Sequence, residues 1–143
     1  MHLDTAVTFA AVSAALYAGH HVGDYWLQTP HQGKHKGDCG REGWLAAGRH
    51  VATYTIATAV AVALVAVVIG LPISPAAFVV GQLVSAATHL VIDRRYPLRA
   101  LAALVDRVQP GKLDYYDNGG AAHLDQSAHI FCLFVAALLT AAL

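Results

Sequence analysis

Three histidine–aspartate pairs carry most of the chemistry available to this sequence: His20 with Asp24, His89 with Asp93, and Asp125 with His129. Each pair is spaced four residues apart, which on a helix stacks both side chains on one face. Imidazole and carboxylate together suit Zn²⁺, Mn²⁺ or Fe²⁺, and an i, i+4 pair can chelate one ion. Every pair sits at the edge of an apolar segment, where an unpartnered polar side chain is costly. The order within the pairs matters as well. The first two read His-x-x-x-Asp and the third Asp-x-x-x-His. If the helix that carries the third pair, the fourth in the chain, runs opposite to the other two, each histidine lies deeper than its aspartate by about 6 Å. Antiparallel packing then gathers His20, His89 and His129 in one layer and Asp24, Asp93 and Asp125 in another. His50, on a further apolar segment, can join either layer.

Seven candidate ligands (His20, Asp24, His50, His89, Asp93, Asp125 and His129) suffice for one metal with outer carboxylates, or for two metals. Zinc is the first expectation, with manganese or iron as alternatives. The corresponding activity is metal-dependent hydrolysis of a phosphoester or related bond, with Asp24, Asp93 or Asp125 as ligand or general base. Arg49, Arg94 and Lys34, together with Gln28 on the His20–Asp24 stripe, are placed to hold an anionic group such as a lipid phosphate. Their plainer role is headgroup contact beside a membrane. The same residues also admit an ion or proton transporter or sensor, or a non-catalytic membrane scaffold with a structural polar core. A bis-histidine haem site leaves the carboxylates unexplained. His31 and His35 lie in a Gly/Lys/His-rich stretch that reads as a flexible loop, and as solvated side chains. His21, one position off the stripe, reads as a spare ligand, a proton shuttle or a packing residue.

The elements that must position these residues are helices in a membrane. Hydrophobic residues make up 57% of the 143 and charged ones 13%, against about 25% charged in soluble domains, and mean hydropathy is +0.50. Four apolar segments, at about 5–28, 44–70, 75–94 and 122–143, approach the roughly 20 residues that cross a bilayer. The expected architecture is therefore all-α: a single domain, 1–143, forming a four-helix transmembrane bundle. A short interfacial helix at about 97–108 is expected between helices 3 and 4, with Leu98, Leu101, Ala102, Val105 and Val108 on one face. Gln82, Ser85, His89 and Asp93 form one stripe, so Gln82 is expected to face the bundle. Thr29 and Pro30 stop the first helix, and residues 109–120 are rich in turn signals.

All nine Lys and Arg residues fall between Lys34 and Arg49 or between Arg94 and Lys112. The positive-inside rule then puts both long loops in the cytoplasm and both termini outside. The first segment lacks the basic start and small-residue cleavage site of a signal peptide. Formal net charge is zero, which gives no general attraction for nucleic acid. The expected partners are membrane lipids and a lipid or phosphorylated substrate. Neither Cys39 nor Cys132 is placed for a disulfide.

The strings His20-x-x-x-Asp24-Tyr25-x-Leu27-Gln28, His50, His89-x-x-x-Asp93-Arg94 and Asp125-Gln126-x-x-His129 also resemble a family. They are similar to uncharacterised bacterial four-helix inner-membrane proteins with an H-x-x-x-D-F-x-L-Q signature, with Tyr25 in place of the usual Phe. More distantly, the layout is similar to membrane-bound metal-dependent hydrolases. The closer resemblance implies a bacterial cytoplasmic-membrane protein but names no reaction.

Overall fold

The computed structural model describes residues 2–143. It is 87% helical, with no strand among the described residues. Helix α1 (His2–His21) passes into a π-helical turn, Val22–Leu27, and a short helix α2 (Pro30–His35) follows. The long helices α3 (Gly40–Ile69) and α4 (Pro75–Asp93) come next, then α5 (Tyr96–Asp106) and the single turn α6 (Lys112–Tyr115). A second π-helical turn, Tyr116–Gly120, leads into α7 (Ala121–Ala142).

The local chemistry accounts for the boundaries. Gly70, at φ 73°, ends α3 in the left-handed conformation that glycine adopts most readily. Ser74 Oγ accepts from the Ala77 amide at 3.0 Å, and Pro75 occupies the first turn of α4. Thr29 and Gln32 form a reciprocal capping box around Pro30, so the stretch read as flexible begins as a capped helix. Residues 109–120, read as turns, contain α6 and a π turn, broken by non-helical Asn118 and Gly119.

Helix α1 packs on α3 and α7, and α4 packs on the same two, closing a ring of long helices. Val12, Leu16, Val62, Leu133, Ala136 and Ala137 fill one part of its interior. Small residues permit close approach: a Cβ on Gly19 would lie 2.8 Å from Thr58 Cα, and one on Gly23 would lie 3.0 Å from the Tyr54 ring. Gln82 faces inward, as expected, and accepts from Thr58 Oγ1 at 2.9 Å.

Three helical stretches are long and apolar enough to cross a membrane: Gly40–Ile69, Pro75–Asp93 and Lys112–Ala142. Helix α1, expected as a fourth, is not among them, because Asp4 and His20–His21 bracket its apolar run. On α5, Leu98 and Ala102 are buried, while Leu101 and Leu104 are exposed; Val108, expected on the same face of this helix, lies beyond its end and is exposed. The helix is therefore apolar on its outer side as well as its inner one.

Candidate metal centre

The ends of α1, α3, α4 and α7 bring His20, His50, His89 and His129 into one buried cluster, each at most 2% exposed. Asp93, from the last turn of α4, is fully buried among them. Asp24 enters from the π turn, with its side chain 6% exposed. A π turn adds a residue to the helical repeat and re-aims the side chains that follow, a distortion common at functional sites.

The tightest part of the cluster is a set of four donors. His50 Nε2 and His89 Nε2 are 3.0 Å apart. Asp24 Oδ1 lies 3.3 Å from the first and 3.4 Å from the second. Asp93 Oδ2 lies 3.4 Å from His50 Nε2 and 3.3 Å from His89 Nε2. Ligand bonds of about 2.0–2.1 Å place the corners of a regular tetrahedron about 3.3–3.4 Å apart. Each carboxylate oxygen lies 3.3–3.4 Å from both imidazole nitrogens, and the two nitrogens are 3.0 Å apart, so each carboxylate stands at ligand spacing from the histidine pair.

A looser set shares the same two carboxylates. His20 Nε2 lies 3.6 Å from Asp24 Oδ2, and His129 Nε2 lies 3.8 Å from Asp93 Oδ1. Asp24 and Asp93 thus each turn one oxygen toward each histidine pair. The groups His20, Asp24, His129 and His89, Asp93, His129, like Asp24, His50, His89, lie within metal-ligand distance of one another.

The donors fit a metal by a second criterion. Asp24 Oδ1 and Asp93 Oδ2 are buried and have no hydrogen-bond partner among the described residues. A buried carboxylate oxygen without a donor is costly to maintain. Two such oxygens facing two imidazole nitrogens are the arrangement that a cation relieves.

Residues around the cluster hold it in place. His129 Nδ1 lies 3.3 Å from Asp125 Oδ2, which leaves Nε2 directed at Asp93. His20 Nε2 pairs with Gln126 Oε1 at 3.2 Å. The His89 ring stacks on Tyr54 at 3.8 Å, and the Tyr54 hydroxyl meets Ser85 Oγ at 2.6 Å. Lys36 Nζ sits 2.7 Å from Asp93 Oδ1. Arg94, 2% exposed, donates to the carbonyls of Lys36 and Asp38 and lies over the Trp44 ring. Its guanidinium therefore fixes the backbone that presents Lys36.

The sequence-derived residues divide clearly. His20, Asp24, His50, His89, Asp93 and His129 come together, and Asp125 stands outside them with its side chain 23% exposed. Of the expected anion-holding residues, Gln28 lines a cavity of about 500 Å³ beside Asp24 and Asp125. Arg49 and Lys34 are exposed, and Arg94 is occupied beneath the loop. The cations lining the cavity are Lys36 and Arg95, neither of which was singled out from sequence. The Thr29-x-x-Gln32 capping signature was the available signal that this loop is built rather than loose. Exposed His31 and half-buried His35 form a separate group with exposed Glu42, and His21 Nδ1 pairs with the Tyr17 carbonyl at 2.9 Å.

Fold and site define a helical protein with candidate membrane spans and a buried His/Asp cluster at metal-ligand distances. Comparison with protein-family models, curated proteins and solved structures gives no match, so a functional reading rests on this geometry.

Proposed function

We propose that the protein is a membrane-embedded, metal-dependent hydrolase acting on a phosphoester at the cytoplasmic membrane face. The observation that carries this reading is the set of His50, His89, Asp24 and Asp93, in which each carboxylate oxygen lies 3.3–3.4 Å from both imidazole nitrogens. The donor types favour zinc, with manganese or iron as alternatives. A divalent ion there would act as a Lewis acid and raise the acidity of a water molecule. The looser set with His20 and His129 offers a second ion the other oxygens of the same carboxylates. In this structure the Lys36 ammonium supplies positive charge at that point.

The protein's own groups then have distinct tasks. Asp93, enclosed on all sides, holds and orients. Asp125 lines the open cavity and is the best-placed proton acceptor. In the proposed reaction, water attacks phosphorus and the phosphorus–oxygen ester bond breaks. The proton lost by water passes to the Asp125 carboxylate and then to the departing alcohol oxygen. Gln28, Lys36 and Arg95 line the side from which the phosphate would be held.

In the same reading α1 is the fourth helix of a transmembrane bundle, both termini are outside, and the Lys/Arg-rich loops are cytoplasmic. The buried layer of Val12, Leu16, Val62 and Leu133 supports a blind-ended site over an ion conduit. The unpartnered carboxylate oxygens favour a metal over a purely structural polar core.

The test is metal analysis of protein purified in mild detergent, with turnover of aryl and lipid phosphates measured with and without chelator. Bound divalent metal, chelator-sensitive turnover, and loss of both in His89→Ala are expected. Protein without metal, whose turnover ignores chelator, overturns the reading.

A further inference from the structure

A second cavity adjoins the site. It is a groove of about 550 Å³ between α4, α5 and α7, within the range of small-molecule pockets. Its walls are almost entirely apolar, among them Val91, Leu101, Ala102, Val105, Ala128 and Phe131. Leu98, 7% exposed, lines both this groove and the polar cavity beside Asp24 and Asp125. One side chain therefore separates a polar compartment from an apolar one.

The polar compartment has the charge of an anion site once the centre is loaded. Asp24, Asp93 and Asp125 face Lys36 and Arg95, three carboxylates against two cations. One divalent ion makes the balance positive. Arg95 is held for this position at a cost: it has φ 61°, the one positive value at a non-glycine among the described residues. Its Nη2 donates to the Gly33 carbonyl at 2.7 Å and its own carbonyl accepts from the Tyr116 hydroxyl at 3.3 Å. Strain of this kind persists where surrounding contacts over-determine it, and such positions cluster at ligand clamps.

We infer that the substrate is a single-chain phosphorylated amphiphile, with its phosphate between Lys36, Arg95 and the His/Asp centre and its hydrocarbon chain in the α4/α5/α7 groove. This deepens the hydrolase reading and rests on it for the positive charge of the polar compartment. The two cavities meet at a common wall, Leu98, and that adjacency selects the occupant. A soluble phosphate ester would use the polar side alone, and a bulk lipid the apolar side alone. Leu101, which lines the groove and is exposed, opens it to a surface suited to acyl chains, so the chain can enter laterally.

The test uses a long-chain alkyl phosphate with a diazirine at its far end, offered to the protein in phosphatidylcholine nanodiscs and compared with the corresponding alcohol. Crosslinks from the phosphate probe should map to Val91, Leu101, Val105 and Phe131. Dodecyl phosphate should displace the probe at least tenfold better than butyl phosphate or inorganic phosphate. Arg95→Gln should weaken capture at least fivefold. Ala128→Trp should abolish the chain-length preference at unchanged metal content, with Val105→Trp as the second groove-filling variant if the first does not fold. Equal capture of alcohol and phosphate, or equal displacement by butyl and dodecyl phosphate in metal-loaded protein, overturns the inference and leaves the hydrolase reading standing. Chain-length-dependent capture by protein that holds no metal sinks the hydrolase reading instead.

Discussion

Replacing Lys36 by Met separates a metal centre from a structural polar core. Lys36 Nζ lies 2.7 Å from Asp93 Oδ1, with the lysine side chain 12% exposed and the aspartate fully buried. At an effective dielectric constant near 20, a pair at this distance gains about 6 kcal/mol of Coulomb energy. Desolvation of the ammonium offsets part of that gain, and losing one partner of a buried pair typically costs about 3–5 kcal/mol. In metal-free protein, Lys36→Met removes the ammonium at Asp93 Oδ1, so the full penalty of about 3–5 kcal/mol is expected. With a divalent ion bound to Asp93 Oδ2, the carboxylate remains neutralised and the penalty should fall to about 1 kcal/mol, the scale of a lost surface contact. The assay is unfolding by a denaturing detergent, run on wild type and Lys36→Met, each with saturating zinc or manganese and with chelator. The prediction is an interaction: metal should rescue the variant by more than it stabilises wild type. Equal destabilisation with and without metal would refute the reasoning, because Asp93 would then not be a metal ligand.

Four further outcomes follow from the same geometry. His50→Ala and His89→Ala each remove one corner of the tight set and should abolish stoichiometric metal, read by elemental analysis. Asp125→Asn should lower metal affinity by about 10–100-fold without eliminating binding, since Asp125 orients His129 from outside the set; competition with a fluorescent chelator measures this. Gly19→Val forces a side chain against the α3 backbone, where a Cβ already falls 2.8 Å from Thr58 Cα, and should cost about 1–3 kcal/mol in the unfolding titration. Cys39, which is exposed, should resist a membrane-impermeant thiol reagent in intact cells and react after permeabilisation; the reverse pattern would invert the proposed topology.

The parts legible in the sequence were those fixed by periodicity. His20, His89 and His129 are placed by their own helices, and the reversed order of Asp125 and His129 needs only antiparallel packing to bring them level. Stripe arguments handled Gln82 equally well, because a mid-helix amide has few places to find a partner. Periodicity fixes the face a residue occupies but not its distance from the cluster. Asp125 obeys the i, i+4 rule yet lies outside the tight set, since helical spacing fixes which face a residue occupies and not how far it stands from the axis of the cluster. Arg94 reads from sequence as an anion holder because basic residues near a membrane commonly hold one. Here two carbonyls of a neighbouring loop, at Lys36 and Asp38, take its donors. Lys36 escaped notice for the opposite reason: its importance arises from a tertiary contact 57 residues away in sequence, between Lys36 and Asp93.

The local irregularities of the chain gather around this one region, and that pattern has a physical basis. Asp24 lies in a π turn, Arg95 holds a strained backbone angle, and Tyr116 begins the second π turn; all three line the polar cavity. Sequences that fold to one structure generally keep local preference and tertiary demand in agreement, and departures concentrate where function imposes another demand. A π turn forfeits regular helical hydrogen bonding, and a positive φ at an arginine costs about 1–3 kcal/mol. A chain needing only a stable polar core could avoid both, with an unbroken α1 and a glycine at 95. Arg95→Gly should therefore change stability by less than about 1 kcal/mol, as relief of strain offsets the greater freedom of the unfolded chain. Capture of alkyl phosphate should fall at the same time. A large loss of stability with phosphate capture intact would show that Arg95 serves the fold and not the ligand.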